Sequence, residues 1–371
     1  MVSNPDKKFT QISASVDMSL GGPSAVVIDT HGLFSRHLKN YRLLIFGKSE
    51  LQDKDFLRAS TILNNRFGLI WNILNPKFIS TLKNSDTVLI HGYYLFSTIY
   101  SLAVYRGKNI YLMPHGTFEP YQQSKHTIRK LIFSICLNFV LNKRKIHFIT
   151  ASETEVAPLK IIFPQNLISV VGLGINIPTF KSFQTKNTEE IKMVFLGRIA
   201  EKKRIDLCLY ALKLLRSSGH PVSLKVIGTG SAELKQQLLD LVDRLELEGF
   251  VNFLGHLERT QLDAELTKSD VFLLPSENEN FAIAVAESIA AIVPVIVSKE
   301  VSMHTFVDKY RVGITISDLN PELIGQAVLD IMKNIDQYRE NCEKYREFLS
   351  WDIVFEDWLN TLGLKSNVSK E

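Results

Sequence analysis

The sequence predicts an α/β protein with two domains, each built around a sheet of parallel strands. At 371 residues the chain is long for a single hydrophobic core, so two domains are expected. Short apolar runs alternate with longer stretches of helical character, which favours βαβ units over an antiparallel sheet. The turn-rich segment from Gly172 to Pro178 precedes a polar stretch from Phe180 to Glu190, and we expect the domain boundary there.

The composition narrows the class of protein. Hydrophobic residues make up 45% of the chain and charged residues 22%, as in ordinary globular proteins. A net charge of +4 permits attraction to phosphates or anionic lipids but does not predict nucleic-acid binding. The three cysteines are widely spaced without metal-like pairing, which fits a reducing compartment. Neither the apolar core of a secretory signal nor a run of roughly 20 apolar residues is found, so we expect a cytoplasmic protein.

The first half of the chain shows a glycine turn followed by regularly spaced strands. Gly21 and Gly22 precede Pro23 and an apolar stretch, a pattern that predicts a tight turn at the start of a helix. Such a turn lets backbone amides approach a phosphate, although a Gly-Gly pair alone is more often only a turn. The predicted strands of this half are Ile12–Val16, Leu43–Phe46, Val88–Ile90, Ile110–Met113 and Ile146–Ile149.

Two histidines follow strands of this half. His91 comes directly after one predicted strand, and His115 follows another after Pro114. Functional groups of parallel sheets collect at the carboxyl ends of strands. We expect a structural, hydrogen-bonding role for His91. For His115 the residues alone leave open a structural role and a role in a site.

The segment 125–145 combines basic ends with an apolar middle. Lys125, Arg129 and Lys130 precede the apolar run 131–137, and the basic residues 143–145 follow it. We favour a core helix with solvated basic ends. The alternative is a helix that lies on an anionic membrane surface.

The second half begins with a predicted strand, Ile191–Leu196, followed by a basic loop. This loop contains Arg198 and ends with the cations from Lys202 to Arg204. Later strands end in Gly228 and Gly255. Each of these signals is weak when taken alone.

The segment 270–297 is the most informative part of the sequence. It contains a buried strand from Val271 to Leu274, a polar turn with Glu279, and an apolar helix from Phe281 to Ala291. Glu287 lies inside this helix, and a carboxylate in an apolar helix is costly without a partner. We therefore expect Glu287 to bind one.

Glu279 and Glu287, preceded by Pro275-Ser276 and separated by seven residues, resemble the E-x7-E signature of glycosyltransferase family 4, whose members are retaining enzymes of the GT-B fold. The segment Gly197–Lys203 is similar to the G-R-x4-K loop of this family. The resemblance implies two doubly wound Rossmann-like domains that face a central cleft. It makes 1–176 the acceptor-side domain, completed by a returning helix at about 350–371, and 177–349 the nucleotide-sugar donor domain.

The resemblance also implies roles for individual residues. Arg198 and Lys203 would hold the donor diphosphate, Glu279 the transferred sugar, and Glu287 the ribose. The implied catalytic residues are Glu279, His115, Arg198 and Lys203. The implied substrate-binding residues are Gly21, Gly22, Arg198, Lys203, Gly228, Gly255, Glu279, Phe281, Ala282, Ile283 and Glu287. The sequence departs from the family pattern at Ala282 and Arg204, where relatives often have glycine.

The function implied by the resemblance is a hexosyl- or related glycosyltransferase. It would move a sugar from a nucleotide-diphosphate-sugar donor to a saccharide or lipid-linked saccharide, in bacterial surface-polysaccharide biosynthesis, peripherally on the inner face of the cytoplasmic membrane. No metal or cofactor is expected, and the D-x-D pattern Asp53-Lys54-Asp55 lies in a charged stretch rather than at a strand end. The alternatives are a GT-B sugar-nucleotide epimerase or hydrolase and a catalytically silent nucleotide-sugar-binding protein.

Overall fold

The computed structural model describes residues 7–17, 22–47, 62–63, 74–118, 127–141, 144–178 and 190–365. The chain divides into two compact units. The N-terminal unit contains Met1–Gly172 together with Val354–Glu371, and the C-terminal unit contains Leu173–Ile353. The chain thus first passes between the units at the start of the turn-rich segment Gly172–Pro178.

The N-terminal unit has a seven-stranded sheet with the order β3-β2-β1-β4-β5-β6-β7. Each pair of neighbouring strands is parallel. The strands are β1 Phe9–Ser13, β2 Tyr41–Ile45, β3 Ile62–Leu63, β4 Thr87–His91, β5 Asn109–Met113, β6 His147–Thr150 and β7 Leu167–Val170. The described helices of this unit that precede Gly172 are α1 Gly22–His37, α2 Pro76–Lys83, α3 Phe96–Val104, α4 Thr127–Leu141 and α5 Val156–Ile162.

The C-terminal unit has a six-stranded parallel sheet with the order β10-β9-β8-β11-β12-β13. Its strands are β8 Ile191–Leu196, β9 Val222–Ile227, β10 Val251–Gly255, β11 Val271–Leu274, β12 Val295–Ser298 and β13 Gly313–Ile316. Its described helices are α6 Ile205–Ser217, α7 Ala232–Arg244, α8 Arg259–Thr267, α9 Ile283–Ala290, α10 His304–Tyr310, α11 Pro321–Lys333 and α12 Ile335–Tyr345. Helix α13 Trp351–Thr361 follows, and from Val354 onward it belongs to the N-terminal unit.

The predicted parallel α/β architecture is confirmed, but the predicted first strand was wrong. The strand begins at Phe9 and ends at Ser13, rather than spanning Ile12–Val16. Thr10 and Gln11 make this stretch look polar, yet both are buried in the sheet and hydrogen-bonded to other side chains. A polar side chain with a partner fits a buried strand, and the linear sequence does not show that partner.

The last helix belongs to the core of the N-terminal unit. Phe355 and Trp358 of α13 pack on Phe34 of α1, with ring centroids 5.3 and 6.3 Å away. The indole N–H of Trp358 donates to the backbone oxygen of Gly172 at 3.0 Å. Trp358 is fully buried. The chain therefore returns to its first unit after completing the second.

Each sheet has one point where the strand order reverses. In the N-terminal unit this point lies between β1 and β4, and in the C-terminal unit it lies between β8 and β11. Loops that leave two such neighbouring strands diverge to opposite sides, which opens a crevice at their carboxyl ends. The topology thus predicts a binding site in each unit, at the loops after β8 and β11 and at the loops after β1 and β4.

Candidate functional site

The loop after β8 carries the basic cluster of the C-terminal unit. Arg198 is exposed, while Lys203 is only 9% exposed and ends a short 3-10 turn that begins at Glu201. A Cβ on Gly197 would lie 3.7 Å from the Lys203 Nζ atom, so the ammonium group sits beside the end of the strand. The basic loop predicted from the sequence therefore folds back onto the carboxyl edge of the sheet.

Glu279, in the loop after β11, faces this cluster across the switch point. Its Oε1 atom lies 2.7 Å from Lys203 Nζ and 3.5 Å from Lys202 Nζ. The backbone joins the two loops, because the Glu277 N–H donates to the Lys202 oxygen at 2.8 Å. On the other side, the Glu279 N–H donates to the Glu300 oxygen at 3.1 Å. The structure therefore brings Glu279 and Lys203 together.

Positive charge exceeds negative charge at this point. Arg198, Lys202 and Lys203 are three cations, and Glu279 is the one carboxylate that pairs with two of them. Burial lowers the pKa of Lys203, the neighbouring carboxylate opposes this shift, and the positive charges of Lys202 and Arg198 lower the pKa further. Like charges held this close favour the arrival of an anion, which relieves their repulsion.

The two departures from the family's glycines both have left-handed backbone. Arg204 has φ of 51° and Ala282 has φ of 59°, a conformation that costs a side chain about 1–2 kcal/mol relative to glycine. Arg204 is compensated by ion pairs with Asp206 at 2.9 Å and Glu277 at 3.4 Å. These pairs make Arg204 a local structural cation, in contrast to Lys203.

Glu287 has a protein partner that sequence reasoning did not find. Arg259, at the start of α8, places Nη1 2.8 Å from Glu287 Oε1. The same guanidinium pairs with Asp263 at 3.1 Å and donates to the backbone oxygen of Asn176 at 3.3 Å. Arg259 and Glu287 are 28 residues apart in the sequence, and the fold of the unit brings the start of α8 to the side chain of Glu287. The side chain of Glu287 is 17% exposed, so its carboxylate stays within reach of a ligand.

The N-terminus of α9 lies directly after Glu279. Ala282 is the N-cap residue of this helix, and its side chain is buried. Within the described part of the chain, no acceptor pairs with the backbone N–H groups of Phe281, Ala282 and Ile283. Free amides at a helix start bind anions and polar oxygens well.

Glycines line the neighbouring strand ends. Gly228 has φ of 134°, and a Cβ there would lie 2.0 Å from the backbone oxygen of Gly197. The Gly228 N–H donates to the oxygen of Gly255 at 2.7 Å. The ends of β8, β9 and β10 can approach this closely only without a side chain at Gly228. Gly228 was a weak signal in the sequence, and this close approach explains why glycine is needed at that position.

In the N-terminal unit, His115 and His91 lie together at the strand ends. The two rings are stacked with centroids 5.1 Å apart, and His91 Nδ1 lies 2.8 Å from His115 Nε2. His91 is 3% exposed and hydrogen-bonded on both ring nitrogens, which fits the structural role expected for it. Burial lowers the pKa of His115 to about 4. Gly22 begins α1, whereas Gly21 lies outside the described residues.

The described candidate residues thus lie in both units. In the C-terminal unit, Lys203 and Glu279 touch at the switch point, flanked by the glycine ends and the start of α9. In the N-terminal unit, Gly22 and His115 lie at the carboxyl edge of the sheet. Among the described residues no group of three or more His, Cys, Asp or Glu side chains is placed to hold a metal ion, and Asp53 to Asp55 lie outside those residues. The roles of these residues toward a substrate stay predictions.

Comparison with known sequences finds a family model that matches most of the C-terminal unit. Residues 176–347 match the family model described as glycosyl transferases group 1. A GDP-mannose-dependent alpha-(1-6)-phosphatidylinositol dimannoside mannosyltransferase of Mycobacterium tuberculosis is 26% identical over 204 residues, which cover 52% of this chain and 51% of that protein. A putative colanic acid biosynthesis glycosyltransferase of Escherichia coli K12, WcaL, is 24% identical over 198 residues, covering 51% and 48%. The chain spans about half the length of the curated relatives it matches.

Solved structures resemble nearly the whole chain. Anabaena HepE in complex with UDP and glucose matches with a TM-score of 0.72 and 15% identity, over 96% of this chain and 99% of that chain. WaaG, a glycosyltransferase involved in lipopolysaccharide biosynthesis, matches with a TM-score of 0.66 and 14% identity, over 97% and 100%. The fold is therefore that of GT-B proteins, with two Rossmann-like domains.

The buried histidines predict a loss of stability in mild acid. Burial lowers the pKa of His31 and of His115 from 6.5 to about 4, and lowers that of His91 as well. The unfolded chain therefore takes up protons first as the pH falls below 6.5, so stability present above 6.5 is lost toward pH 4. Between pH 6.5 and 5 this loss amounts to about 1.5 kcal/mol for each of His31 and His115.

Hydrogen exchange measured by mass spectrometry checks this expectation unit by unit. Protection in β1, β4 and β5, corrected for intrinsic exchange, should fall between pH 6.5 and 5. The C-terminal unit serves as the internal control, since its carboxylates with lowered pKa, Glu265 and Asp330, lose their contribution only below about 4.5. Equal protection of β4 at both pH values would contradict the neutral state of these rings.

Proposed function

We propose that this protein is a metal-independent, retaining glycosyltransferase that moves a sugar from a nucleotide-diphosphate-sugar donor to a hydroxyl group. The observation that carries the proposal is the pairing of Lys202 and Lys203 with Glu279 at the switch point of the second sheet, where the charge of Arg198 also acts on Lys203. This cluster combines groups that hold an anion with one that accepts hydrogen bonds from hydroxyl groups. A sugar nucleotide presents both features, a diphosphate and a polyol.

The cations serve the leaving group. Glycosyl transfer breaks the bond between the anomeric carbon and a donor phosphate oxygen, and the electron pair leaves with the diphosphate. Arg198 and Lys203 stabilise that developing charge, and Lys203 is already in place, so this cation needs no reorganisation at the moment of reaction. Lys203 is held by Glu279 and the 3-10 turn, while Arg198 is exposed and free to reach a phosphate. These two cations can do what a divalent metal does in other transferases.

The carboxylates serve the two sugars of the donor. Glu279 accepts hydrogen bonds from hydroxyls of the transferred sugar, and the free amides of Phe281, Ala282 and Ile283 donate to oxygens beside it. Glu287 accepts from the ribose hydroxyls, with its carboxylate oriented by Arg259 at 2.8 Å. Gly228 and Gly255 keep the neighbouring strand ends free of side chains where the nucleotide approaches.

The acceptor attacks on the face that the diphosphate leaves. Its oxygen forms the new bond to the anomeric carbon, and its proton passes to the departing phosphate oxygen. No separate enzymic nucleophile is needed for this route, and the anomeric configuration is retained. For the N-terminal unit, we carry over from the family resemblance a role for His115 toward the sugar and for Gly21 and Gly22 toward the donor and acceptor.

The relatives support the class of acceptor. Their names include a phosphatidylinositol dimannoside mannosyltransferase and proteins of colanic acid and amylovoran biosynthesis. We take the acceptor to be a saccharide or lipid-linked saccharide of bacterial surface-polysaccharide biosynthesis. The relatives differ in donor, since one name specifies GDP-mannose and one structure holds UDP and glucose, so the base is left to experiment.

Helix α4 supports a position at the cytoplasmic face of a membrane. Ile132, Ile135 and Phe139 lie three and four residues apart on one face and are 57%, 63% and 86% exposed. The opposite face, with Leu137 and Leu141, is buried in the core as expected. Lys145 is exposed just beyond the helix. Within the described residues, no helix is both long and apolar enough to cross a bilayer. An apolar stripe beside a basic end suits anionic lipid.

Nucleotide binding is the first test of the proposed function. Thermal unfolding with UDP, GDP or ADP should show one nucleoside diphosphate that raises the midpoint, equally with and without EDTA. Lys203→Met should weaken that nucleotide about tenfold to a hundredfold, because a charged hydrogen bond is lost. Lys213→Met is the matched control, since Lys213 is a surface cation of the same unit paired with Glu246 at 3.1 Å.

The shift is compared with the ligand-free midpoint of each variant, because Lys203→Met leaves Glu279 with Lys202 as its nearest cation, at 3.5 Å. An unchanged shift in Lys203→Met would refute the diphosphate assignment. A shift that disappears with EDTA would refute metal independence. Turnover of a sugar nucleotide without any acceptor would favour an epimerase or hydrolase.

Product stereochemistry tests the same-face route. Once a donor and an acceptor sugar are found, the anomeric proton coupling in the NMR spectrum of the product should match the configuration of the donor. Glu279→Gln keeps the volume of the side chain but loses its charge, and it should lower kcat by about a hundredfold or more through weaker stabilisation of the transition state. A product with inverted configuration would overturn the retaining mechanism.

Membrane binding is tested on α4. Phe139→Asp should weaken co-sedimentation with vesicles of phosphatidylcholine and phosphatidylglycerol by about tenfold or more, because a buried phenyl ring contributes about 1.5–3 kcal/mol. Ile161→Asp is the matched control, because Ile161 is 82% exposed but lies on α5. Binding that is equal in wild type and Phe139→Asp, or that needs no phosphatidylglycerol, would contradict this surface.

A further inference from the structure

A chain of buried hydrogen bonds runs through the N-terminal unit and ends at His115. The Tyr41 hydroxyl lies 2.6 Å from Gln11 Oε1, and Gln11 Nε2 lies 2.9 Å from His91 Nε2. His91 Nδ1 then lies 2.8 Å from His115 Nε2. Tyr41 and Gln11 are fully buried and His91 is 3% exposed. Four side chains on four different strands or strand ends thus form one polar line through an apolar sheet.

The direction of each hydrogen bond follows from a single fixed point. Thr30 Oγ1 donates to the backbone oxygen of Val26 at 2.6 Å, so it can only accept from Gln11 Nε2, which is 2.8 Å away. This places the amide nitrogen of Gln11 toward Thr30 and His91, and its oxygen toward Tyr41. An amide nitrogen only donates, so His91 Nε2 must accept.

The same logic carries through both imidazoles. A neutral imidazole has one N–H group, and because His91 Nε2 accepts, the hydrogen is on Nδ1. His91 Nδ1 therefore donates to His115 Nε2, which must accept in turn. The hydrogen of His115 is then on its own Nδ1. Among the described residues no group pairs with that nitrogen, and the side chain is half-buried rather than enclosed.

A second proton on either ring would break the line. On His91 it would point Nε2–H at the N–H groups of Gln11, and on His115 it would point Nε2–H at the N–H of His91. Burial acts in the same direction, because it lowers the pKa of both rings. Both histidines therefore stay neutral near pH 7.

The backbone holds the His115 ring in place. His115 has φ of 56° and is followed by Gly116 with φ of 79°, so the chain turns sharply at the strand end. The Thr117 hydroxyl donates to the Pro114 oxygen, and the Phe118 N–H donates to the fully buried Glu155 carboxylate at 3.5 Å. The turn is tied down on both sides of the ring.

We propose that His91 is a positioning residue that locks His115 in the tautomer with its hydrogen on Nδ1, so that His115 serves the substrate as a neutral hydrogen-bond donor and not as a proton acceptor. The ligand is an oxygen of the sugar substrate, a hydroxyl or a phosphate oxygen. This last part rests on the proposed function, whereas the tautomer does not. His115 Nε2, the nitrogen that a general base would need, is already occupied by His91.

Two variants of His91 separate its two hydrogen bonds. His91→Asn retains an N–H group where Nδ1 lies and loses the acceptor for Gln11. His91→Gln retains an acceptor where Nε2 lies and loses the donor to His115. Each variant removes one hydrogen bond of His91: in His91→Asn the Gln11 amide nitrogen keeps Thr30 alone, and in His91→Gln the His115 Nε2 atom loses its donor, so both variants lose some stability. Only His91→Gln releases the tautomer of His115.

Long-range proton–nitrogen NMR of the full chain labelled in histidine reports each tautomer without any substrate. His115, assigned by comparison with His115→Ala, should show a protonated Nδ1 and a bare Nε2 in wild type and in His91→Asn, unchanged between pH 8 and pH 6. In His91→Gln the ring should divide between two tautomers. A protonated Nε2 in wild type, or the same tautomer in His91→Gln, would overturn the proposal.

Transfer kinetics test the positioning role separately. A wrong histidine tautomer costs as much as about 10⁴ in kcat in serine proteases, and we expect His91→Gln to lower kcat/KM by tenfold or more while His91→Asn stays within a few-fold of wild type. Equal losses in the two variants would show a merely structural role and overturn the positioning. A chain without transferase activity would refute the proposed function, yet leave the tautomer measurement intact.

Discussion

A buried polar group needs a partner, and this requirement shapes both units of the structure. Removing a charge or an amide from water costs several kcal/mol unless hydrogen bonds replace the lost ones. Lys203 meets the requirement through Glu279, and Glu287 meets it through Arg259. In the first unit Gln11 meets it three times over, through Tyr41, Thr30 and His91. Each pairing also fixes the geometry of a candidate functional group.

The ion pairs at the switch point of the second sheet leave some positive charge without a carboxylate partner, which favours the binding of an anion. Lys202 and Lys203 share the carboxylate of Glu279, and the charge of Arg198 lies near enough to act on Lys203, so these three cations have one paired carboxylate among the described residues. Arg204 belongs to the same loop but is neutralised by Asp206 and Glu277. The difference between Lys203 and Arg204 is thus a matter of charge balance rather than of position in the sequence. Anions are attracted to places where positive charge exceeds negative charge.

Backbone geometry supports the same arrangement. Parallel sheets bring the ends of non-consecutive strands to one edge, and the reversal of strand order opens a crevice between β8 and β11. Gly228 lets the end of β9 approach the backbone of Gly197 closely enough to bring the basic loop onto that edge. Left-handed backbone at Arg204 and Ala282 begins α6 and α9 at the two sides of the crevice. The strain of these residues lies directly beside the candidate site, as is common at functional positions.

The sequence by itself determined the class of fold and the pair of loops that form the site. Periodic apolar runs predict parallel strands because both faces of such sheets are covered, and β8 and β11 were found with their observed bounds. The spacing of Glu279 and Glu287 and the basic loop before them are local patterns, readable along the chain. The first strand was misplaced, since the polar residues Thr10 and Gln11 obscure the apolar pattern that marks a buried strand.

Only the tertiary structure decided which of these groups meet. Arg259 reaches Glu287, and the pair Lys202-Lys203 reaches Glu279. The line from Tyr41 through Gln11 reaches His115. In each case the segments that meet are separated in the chain. The physical reason is that a hydrogen bond depends on distances of about 3 Å between atoms, and such distances between remote segments are set by packing and strand order. The proposed tautomer of His115 depends most strongly on tertiary structure. It follows from the hydroxyl group of Thr30, which no sequence motif connects to His115.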